Sequence, residues 1–427
     1  MTNREMVDRS LAAVWHPCTQ MKSHERFPLV PVARAEGAWL TDFDGRRYLD
    51  GVSSWWVNLF GHAHPAIDAA LRDQVGKLEH VMLAGFTHEP VVELAERLAK
   101  LAPGKLGHAF FASDGASAAE IALKMAFHFQ ANRGRGGKRR FVSLAGGYHG
   151  ETVGALAVTD VAIFRDAYAP LVRESIIVPF PEDAAKAGAA LERLFDEKHG
   201  EIAAFIVEPL VQGASGMRFY APDYLRRARE LCTRHGVLLI ADEIMTGFGR
   251  TGSMFACEQA QVAPDLLCLS KGITGGYLPL SCVLATDEVF AAFYDDDPRR
   301  GFLHSHSYTG NALACRAALA VLDLFERDDV IAANVRKAAR FTEIAAPLAR
   351  HPGARNFRHL GMIWAFEAAT SDATFASRAF AMALERGVLL RPIGNTVYFM
   401  PPYVIDEAQF AMLVETSLAI VDALASP

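Results

Sequence analysis

Two short apolar runs, each followed by a single ionisable residue, constrain this chain more than any other feature. The run 237–241 (Val-Leu-Leu-Ile-Ala) leads to Asp242, and the run 266–269 (Leu-Leu-Cys-Leu) leads through Ser270 to Lys271 and a glycine-rich turn. Such runs are typical of strands buried on both faces of a sheet. Because open α/β sheets bind ligands at the carboxyl ends of their strands, we expect Asp242 and Lys271 to approach one ligand.

The rest of the chain alternates between helical and strand patterns, which predicts an α/β fold with a mostly parallel sheet covered on both faces. The first 60 residues have a hairpin texture and are expected to join a smaller domain. We predict domains at 1–60 (the segment joining the small domain), 61–315 (the large domain) and 316–427 (the small domain). The predicted elements are helices at 89–101, 116–130, 223–235 (capped by Asp223, stopped by Gly236) and 312–326, and strands at 108–112, 140–145 and 202–207.

Composition excludes several classes of function. The net charge of −6 argues against a nucleic-acid or anionic-membrane surface. No apolar run reaches the length needed to cross a bilayer, and the first residues contain no apolar signal core. The six cysteines include no CxxC pair, so we expect free thiols in a cytoplasmic protein and no metal site.

Two further segments suit a phosphorylated, planar ligand. The string 113–117 lies between a predicted strand and a helix start, where backbone N–H groups bind anions and Gly115 permits close approach. An ordinary capped turn explains this string equally well. In the string 146–150, Tyr148 could stack on a planar ring, or it could be a partly buried loop residue. For His149 alone, a structural role is favoured.

The hydroxyl-rich segment 304–311 contains Ser305, His306 and Ser307 just before a helix start. A zinc site is the alternative reading of its two histidines, but their i,i+2 spacing without a clustered acid or cysteine disfavours it, and phosphate suits the segment better. In Trp55-Trp56, adjacent residues of a strand would face opposite sides, so at most one tryptophan is expected to enter a given pocket, and Trp56 is expected to pack in the core.

Arg391 stands in an apolar setting, Leu-Leu-Arg-Pro-Ile. Two explanations remain open, a bidentate contact with a substrate carboxylate and a structural ion pair.

Lys271 and Asp242 together favour one cofactor. Burial favours the neutral, nucleophilic form of a lysine, and a carboxylate beside a pyridine nitrogen keeps that nitrogen protonated. Pyridoxal 5'-phosphate (PLP) needs both groups. Taken singly, Lys271 could be a surface lysine past a strand, and Asp242 a helix cap or ion-pair partner.

The motifs Leu-Leu-Ile-Ala-Asp-Glu-Ile at 238–244, Gly-Phe-Gly-Arg-Thr-Gly at 247–252 and Ser-Lys-Gly at 270–272 resemble those of the class III, ornithine-type aminotransferases. The resemblance covers nearly the whole chain. It implies PLP-dependent transferase fold type I, with a mostly parallel seven-stranded sheet in the large domain and a smaller α+β domain. It also implies a homodimer that shares its active sites.

The same resemblance implies a role for each candidate residue. Lys271 would bind the cofactor covalently and move the proton, Asp242 would pair with the pyridine nitrogen, and Tyr148 would stack on the ring and border the substrate. Gly115 and Ala116 would give amides to the phosphate, and His306 and Ser307 would reach the phosphate of the neighbouring subunit. Trp55 and Ser305 would line the substrate channel, Arg391 would bind a substrate carboxylate, and Cys18 stands where the family often has a substrate-recognising tyrosine.

Strings such as Trp-His-Pro at 15–17 and Ser-Ser-Trp-Trp at 53–56 are similar to the branch of this family that works in biotin biosynthesis. That similarity implies 8-amino-7-oxononanoate as amino acceptor and S-adenosyl-L-methionine as donor. The alternatives are lysine as donor, another aminotransferase for ω-amino acids or diamines, a binding protein without turnover, and a Rossmann oxidoreductase. The last would need a G-x-G-x-x-G fingerprint, which is not found in the sequence.

Overall fold

The computed structural model describes residues 1–25, 27 and 29–425. The chain divides into two compact units. The larger one is continuous, Ala69–Ala333, and the smaller one combines the two ends of the chain, Met1–Asp68 and Asn334–Pro427.

The strands, in chain order, are β1 (Val32–Glu36), β2 (Trp39–Asp42), β3 (Arg47–Asp50), β4 (His108–Ala112), β5 (Arg140–Leu144), β6 (Ile176–Val178), β7 (Ile202–Val207), β8 (Val211–Gln212), β9 (Arg218–Phe219), β10 (Leu238–Asp242), β11 (Leu266–Leu269), β12 (Ser281–Ala285), β13 (Ala354–Leu360), β14 (Ile363–Ala368), β15 (Val388–Leu389) and β16 (Thr396–Phe399).

The helical segments are α1 (Asn3–Ala13), α2 (Ser53–Trp56), α3 (Pro65–Val75), α4 (Glu89–Leu101), α5 (Gly115–Asn132), α6 (Val153–Leu156), α7 (Ala162–Arg165), α8 (Ala184–Lys198), α9 (Pro222–His235), α10 (Ala256–Gln259), α11 (Asp287–Ala291), α12 (Ala312–Arg327), α13 (Val330–Ile344), α14 (Ala346–Arg350), α15 (Phe375–Glu385) and α16 (Glu407–Leu424). Short 3-10 helices occur at Met21–Glu25, Asp166–Leu171, Lys271–Thr274 and Pro298–Arg300. Among the described residues, no helix combines the length and apolar character that a bilayer crossing requires.

The larger unit contains a seven-stranded sheet in the order β4-β12-β11-β10-β7-β5-β6. Strand β12 runs antiparallel to both of its neighbours, β4 and β11. All other pairs of this sheet, from β11 through β10, β7 and β5 to β6, are parallel. The predicted α/β class with a mostly parallel seven-stranded sheet is therefore confirmed. Because β4, β5, β7, β10 and β11 point the same way, their carboxyl ends share one edge of the sheet.

The central strands are buried because their sequences are apolar on both faces. Every residue of β7, β10, β11 and β12 is buried. Helix α5 covers part of the sheet with a stripe that includes Ile121, Met125 and Phe129. Asp114 caps this helix by accepting a hydrogen bond from the amide of Ser117 at 2.9 Å. The cap and the stripe fix where α5 begins, beside the carboxyl end of β4.

The smaller unit has a four-stranded sheet, β1-β2-β3-β15, and a three-stranded sheet, β13-β14-β16. The hairpin predicted near its amino terminus is present, with Trp39 opposite Leu49. Strand β15 joins this sheet parallel to β3, which pairs Leu389 with Asp50.

Two sequence predictions are wrong in detail. Asp223 does not cap α9, because Ala221 holds the cap position and Asp223 instead contacts Arg226. Trp55 and Trp56 do not lie in a strand. The four residues of α2 all have positive φ, between 47° and 73°, and form a left-handed turn. Such a conformation costs roughly 1–2 kcal/mol per residue that carries a Cβ, so the surroundings must hold it in place.

Candidate active site

Asp242 and Lys271 come from neighbouring parallel strands. Asp242 ends β10 and pairs in register with Cys268 of β11, three residues before Lys271. Lys271 opens a 3-10 turn with a left-handed φ of 45°, and the hydroxyl of Ser270 before it donates to the carbonyl of Leu280 at 2.9 Å. Burial lowers the pKa of Lys271, although the nearby carboxylates of Asp242 and Glu208 act in the opposite direction. The amine therefore lies within the field of two carboxylates.

The Asp242 carboxylate is buried and held by two donors. It is 3% exposed. His149 Nδ1 donates to Oδ2 at 2.7 Å, and the amide of Ile244 donates to Oδ1 at 3.1 Å. His149 is itself buried, and its amide donates to Thr159 Oγ1 at 3.0 Å. His149 therefore has a specific structural role, because its hydrogen bond fixes the orientation of the Asp242 carboxylate.

Glu208 is a third carboxylate of this cluster, and the sequence analysis missed it. It follows β7 directly, and its oxygens accept the amides of Tyr148 and Gly213, each at 3.0 Å. Burial raises the pKa of Glu208 to about 7, an effect that the charge of Asp242 adds to and that of His149 opposes. An apolar strand ends in a lone carboxylate here just as β10 does, so the rule that identified Asp242 could have found Glu208.

Glu243, the neighbour of Asp242, faces a different environment. Its carboxylate accepts the hydroxyl of Thr246 and the amides of Ala256 and Cys257, all at 2.8 Å. These contacts anchor the segment after β10 to the start of α10. The two acids of the Asp-Glu pair thus have separate surroundings, and only Asp242 contacts His149.

The start of α5 presents free backbone donors. Among the described residues, the amides of Gly115 and Ala116 have no hydrogen-bond partner, because Asp114 takes the amide of Ser117 instead. A Cβ on Gly115 would lie 3.0 Å from the side chain of Ile244. The first turn of this helix therefore lies against the segment that follows Asp242, and its free amides can hold an anion.

Gly150 makes that close packing possible from the other side. Its φ is +117°, and a Cβ there would lie 2.6 Å from the Cβ of Ala116. Because no side chain fits, glycine is required where the segment 146–150 passes the start of α5.

Tyr148 lies in the segment between β5 and α6, beside His149. Its amide donates to Glu208 Oε2, its hydroxyl donates to Glu151 Oε1 at 2.8 Å, and its ring meets Phe164 edge-on at 5.5 Å. The partly buried ring is thus held at its backbone and at its hydroxyl.

The segment 304–311 lies before α12, a helix that packs against the turn carrying Lys271. His306 Nδ1 accepts the amide of Tyr308 at 3.2 Å, while its buried Nε2 has no partner among the described residues. Ser305 and Ser307 are exposed, and the carbonyl of Ser307 accepts a bond from His80 Nε2 at 2.7 Å. A buried ring nitrogen without a partner is a candidate ligand contact.

Trp55, Arg391 and Cys18 belong to the smaller unit. The Arg391 guanidinium lies over the Trp55 ring, 4.7 Å from its centroid. Across the described residues no carboxylate lies within ion-pair distance of Arg391, so its alternative explanation as a structural ion pair finds no support. Arg391 and the exposed Cys18 both border a cavity of about 520 Å³ with apolar walls that include Leu29 and Leu389.

The larger unit thus contains groups that fit a small molecule with an anionic end, a basic ring nitrogen and a carbonyl. Free helix amides suit the anion, the buried Asp242 carboxylate suits a protonated nitrogen, and the Lys271 amine suits the carbonyl. The smaller unit offers a cation that suits a carboxylate.

Comparison with known proteins gives concordant results. A family model described as Aminotransferase class-III matches residues 20–421. An adenosylmethionine-8-amino-7-oxononanoate aminotransferase from Helicobacter pylori is 45% identical over 425 residues, covering 97% of each chain. The crystal structure of the enzyme of that name from Methanocaldococcus jannaschii superposes with a TM-score of 0.95 at 34% identity, covering 99% of both chains. A PLP-bound amine transaminase from an uncultivated Pseudomonas species has a TM-score of 0.89 at 34% identity, over 97% of this chain and 99% of that one.

Proposed function

The chain belongs to the class III aminotransferases, and on that premise we propose that it is a PLP-dependent enzyme that transfers an amino group to 8-amino-7-oxononanoate in biotin biosynthesis. The observation that carries this proposal is the 45% identity, over nearly the whole of both chains, to a relative named for that reaction. The product would be 7,8-diaminononanoate, and S-adenosyl-L-methionine is the expected donor.

The larger unit would hold the cofactor. The amides of Gly115 and Ala116 would bind its phosphate, Tyr148 would stack on its ring, and Asp242 would pair with its pyridine nitrogen. Lys271 would bind it covalently. PLP, when bound, supplies an electron sink for the carbanion formed at the amine-bearing carbon.

The chain's own residues perform the proton chemistry. Burial lowers the pKa of Lys271, which favours the neutral form of the amine, the form that would take the proton from the substrate carbon and return it. His149 and the amide of Ile244 donate hydrogen bonds to the Asp242 carboxylate and fix its orientation, so that it would stay directed at the pyridine nitrogen of the cofactor. Glu208 fixes the backbone of Tyr148 through its carboxylate.

Substrate discrimination is assigned to Arg391, Trp55, Ser305 and Cys18. The guanidinium of Arg391 always carries charge and has no carboxylate partner in the part of the chain that the structure describes, so it would bind the carboxylate of the acceptor. Trp55 and Ser305 would line the path of the substrate chain. Cys18 stands where the resemblance implies a tyrosine, and a thiol cannot replace a phenol as a donor, so we propose that donor recognition is where this chain differs, with lysine as the alternative donor.

We further propose a homodimer with shared sites and a cytoplasmic location. In a dimer, the buried Nε2 of His306, which has no partner within the described parts of the chain, and the exposed hydroxyl of Ser307 would meet the phosphate bound by the other subunit. The six free thiols suit a reducing compartment.

A donor screen tests this function. Purified protein loaded with PLP is supplied with 8-amino-7-oxononanoate or a simple ketone as acceptor and, in separate reactions, S-adenosyl-L-methionine, lysine or a diamine as donor, and the product is identified by mass. Formation of 7,8-diaminononanoate is expected, fastest with S-adenosyl-L-methionine. Amination of a simple ketone, without any amination of the oxononanoate, would overturn the proposal that the oxononanoate is the acceptor.

Arg391 has its own test within this scheme. Arg391→Ala is expected to raise KM for the oxononanoate far more than KM for the donor. An equal effect on both substrates would remove its assigned role.

The second candidate function is an aminotransferase for ω-amino acids or amines. It is favoured by the fold similarity to the amine transaminase, at a TM-score of 0.89. The same screen separates the two candidates, because an amine transaminase would accept the diamine and a simple ketone.

A further inference from the structure

The left-handed turn α2 holds two tryptophans in different environments. Trp56 is 5% exposed and its Nε1 donates to the hydroxyl of Tyr398 at 3.0 Å, whereas Trp55 is 41% exposed and lies under Arg391. Because all four residues of the turn carry side chains, this backbone persists only where its neighbours over-determine it. The residues that restrain the turn therefore decide where the Trp55 ring lies.

Asp50 provides one restraint on the turn. This carboxylate is fully buried, accepts the amide of Val52 at 3.2 Å, and accepts the hydroxyl of Ser54 at 2.7 Å. His62 Nε2 lies 3.3 Å from the same oxygen that binds Ser54. The hydroxyl of Ser53 instead donates a hydrogen bond to the carbonyl of Met400 at 2.7 Å. Asp50 thus links the strand before the turn to the side chain in its middle.

The strand that carries Asp50 also fixes Arg391. Asp50 pairs in register with Leu389, so Trp55 follows one member of the pair by five residues and Arg391 follows the other by two. The amide of Gly51 donates to the carbonyl of Leu389 at 3.1 Å, and a Cβ on Gly51 would lie 3.0 Å from that oxygen. The aromatic ring and the cation therefore come from one closely packed strand pair.

We propose that Asp50 and Ser54 are positioning residues for carboxylate recognition. They hold the left-handed turn so that Trp55 supports one face of the Arg391 guanidinium, and the N–H edge of the guanidinium stays directed at a substrate carboxylate. This inference rests on the proposed function for the identity of the acceptor. The selectivity for acceptors that end in a carboxylate then depends on the left-handed turn, because its Trp55 ring packs against the face of the Arg391 guanidinium.

The decisive variant is Ser54→Ala, which removes the bond to Asp50 and leaves every charge in place. KM for 8-amino-7-oxononanoate is expected to rise about tenfold, the scale of one lost restraint on a charge-assisted contact, while kcat and the KM of the donor stay within about twofold. The methyl ester of the acceptor lacks the anion, so its KM is expected to be the same in wild type and variant.

Ser417→Ala is the matched control. It removes a buried serine hydroxyl of the same unit that has no partner among the described residues, and it should leave all constants unchanged. Asp50→Asn should reproduce the selective rise in KM. Should Asp50→Asn fail to fold, Ser54→Ala alone decides.

Direct binding provides a readout without turnover. Pimelate, a seven-carbon dicarboxylate without amine or ketone, is titrated calorimetrically into the PLP-loaded protein, and its Kd is expected to weaken about tenfold in Ser54→Ala. That loss in a protein that does not aminate the oxononanoate would support the positioning role and overturn the proposed acceptor. Equal KM changes for acid and ester, or an unchanged pimelate Kd, would overturn the positioning role.

Discussion

His149 Nδ1 donates a 2.7 Å hydrogen bond to the carboxylate of Asp242, and both side chains are almost wholly buried. The two residues lie 93 positions apart in the sequence and meet because β5 and β10 end at the same edge of the sheet. The buried cluster around Asp242 is therefore built from strand ends that the parallel topology brings together.

The first prediction concerns this pair. His149→Leu removes one of the two hydrogen-bond donors that the buried Asp242 carboxylate has among the described residues, so the free energy of unfolding should fall by about 2 kcal/mol, as expected for a lost hydrogen bond to a charged group. Urea denaturation of the apo-protein measures it. The control is His108→Leu, because Asp287, the partner of His108, is 81% exposed and such pairs contribute about 1 kcal/mol or less. Equal losses in the two variants would contradict the importance of the buried pair.

The second prediction is a pH dependence of stability caused by Glu208. The folded-state pKa of about 7 lies above the ordinary value of 4.5, so between these values the folded protein keeps a proton that the unfolded chain has released. The stabilising contribution of this proton is complete below pH 4.5 and is lost as pH rises towards 7.

Glu208→Gln should flatten the fall in the free energy of unfolding between pH 4.5 and 7, as measured by urea denaturation at a series of pH values. Glu243, whose pKa burial also raises to about 7, remains in the variant, so the difference between the two curves isolates Glu208. Parallel curves for wild type and variant would show that Glu208 does not titrate in this range.

The third prediction concerns the approach of Gly150 to Ala116. Gly150→Ala combines a left-handed φ with a Cβ placed 2.6 Å from another Cβ, so it should cost roughly 3 kcal/mol of stability and displace the start of α5. The affinity for PLP, measured by absorbance titration, should fall at least about tenfold.

Gly134→Ala is the control for that variant. Gly134 also has a left-handed φ, +73°, but a Cβ there meets nothing within 4 Å, so only the conformational cost of about 1 kcal/mol should appear and PLP affinity should not change. If both variants lost PLP equally, the close approach to Ala116 would not be the cause.

Much of the larger unit followed from local patterns in the sequence. The helix Glu89–Leu101 and the strands His108–Ala112 and Ile202–Val207 have their predicted bounds, because caps, apolar periodicity and buried runs act over a few residues. Asp242 and Lys271 were proposed as site residues for the same reason, since each stands at or just after the end of such a run, and the structure places both at neighbouring strand ends.

Other features depend on contacts between distant segments. The left-handed turn at Ser53–Trp56 contradicts local propensity, because Ser and Trp rarely adopt positive φ, and it is held by Asp50 and by residues more than 340 positions away, such as Met400. The hydrogen bond between His149 and Asp242 could not be predicted from the sequence either, because no local sequence pattern determines the order of strands in the sheet. Glu208 was overlooked although the strand-end rule applied to it.

The most direct test of the central claim asks which amine carries the cofactor. The purified protein is incubated with PLP, reduced with borohydride and digested, and the modified peptide is located by mass spectrometry. We predict one phosphopyridoxyl group per chain, on Lys271, and none on the Lys271→Ala protein. Modification of another lysine such as Lys124, or no modification at all, would contradict the assignment of Lys271 and Asp242 to one PLP site.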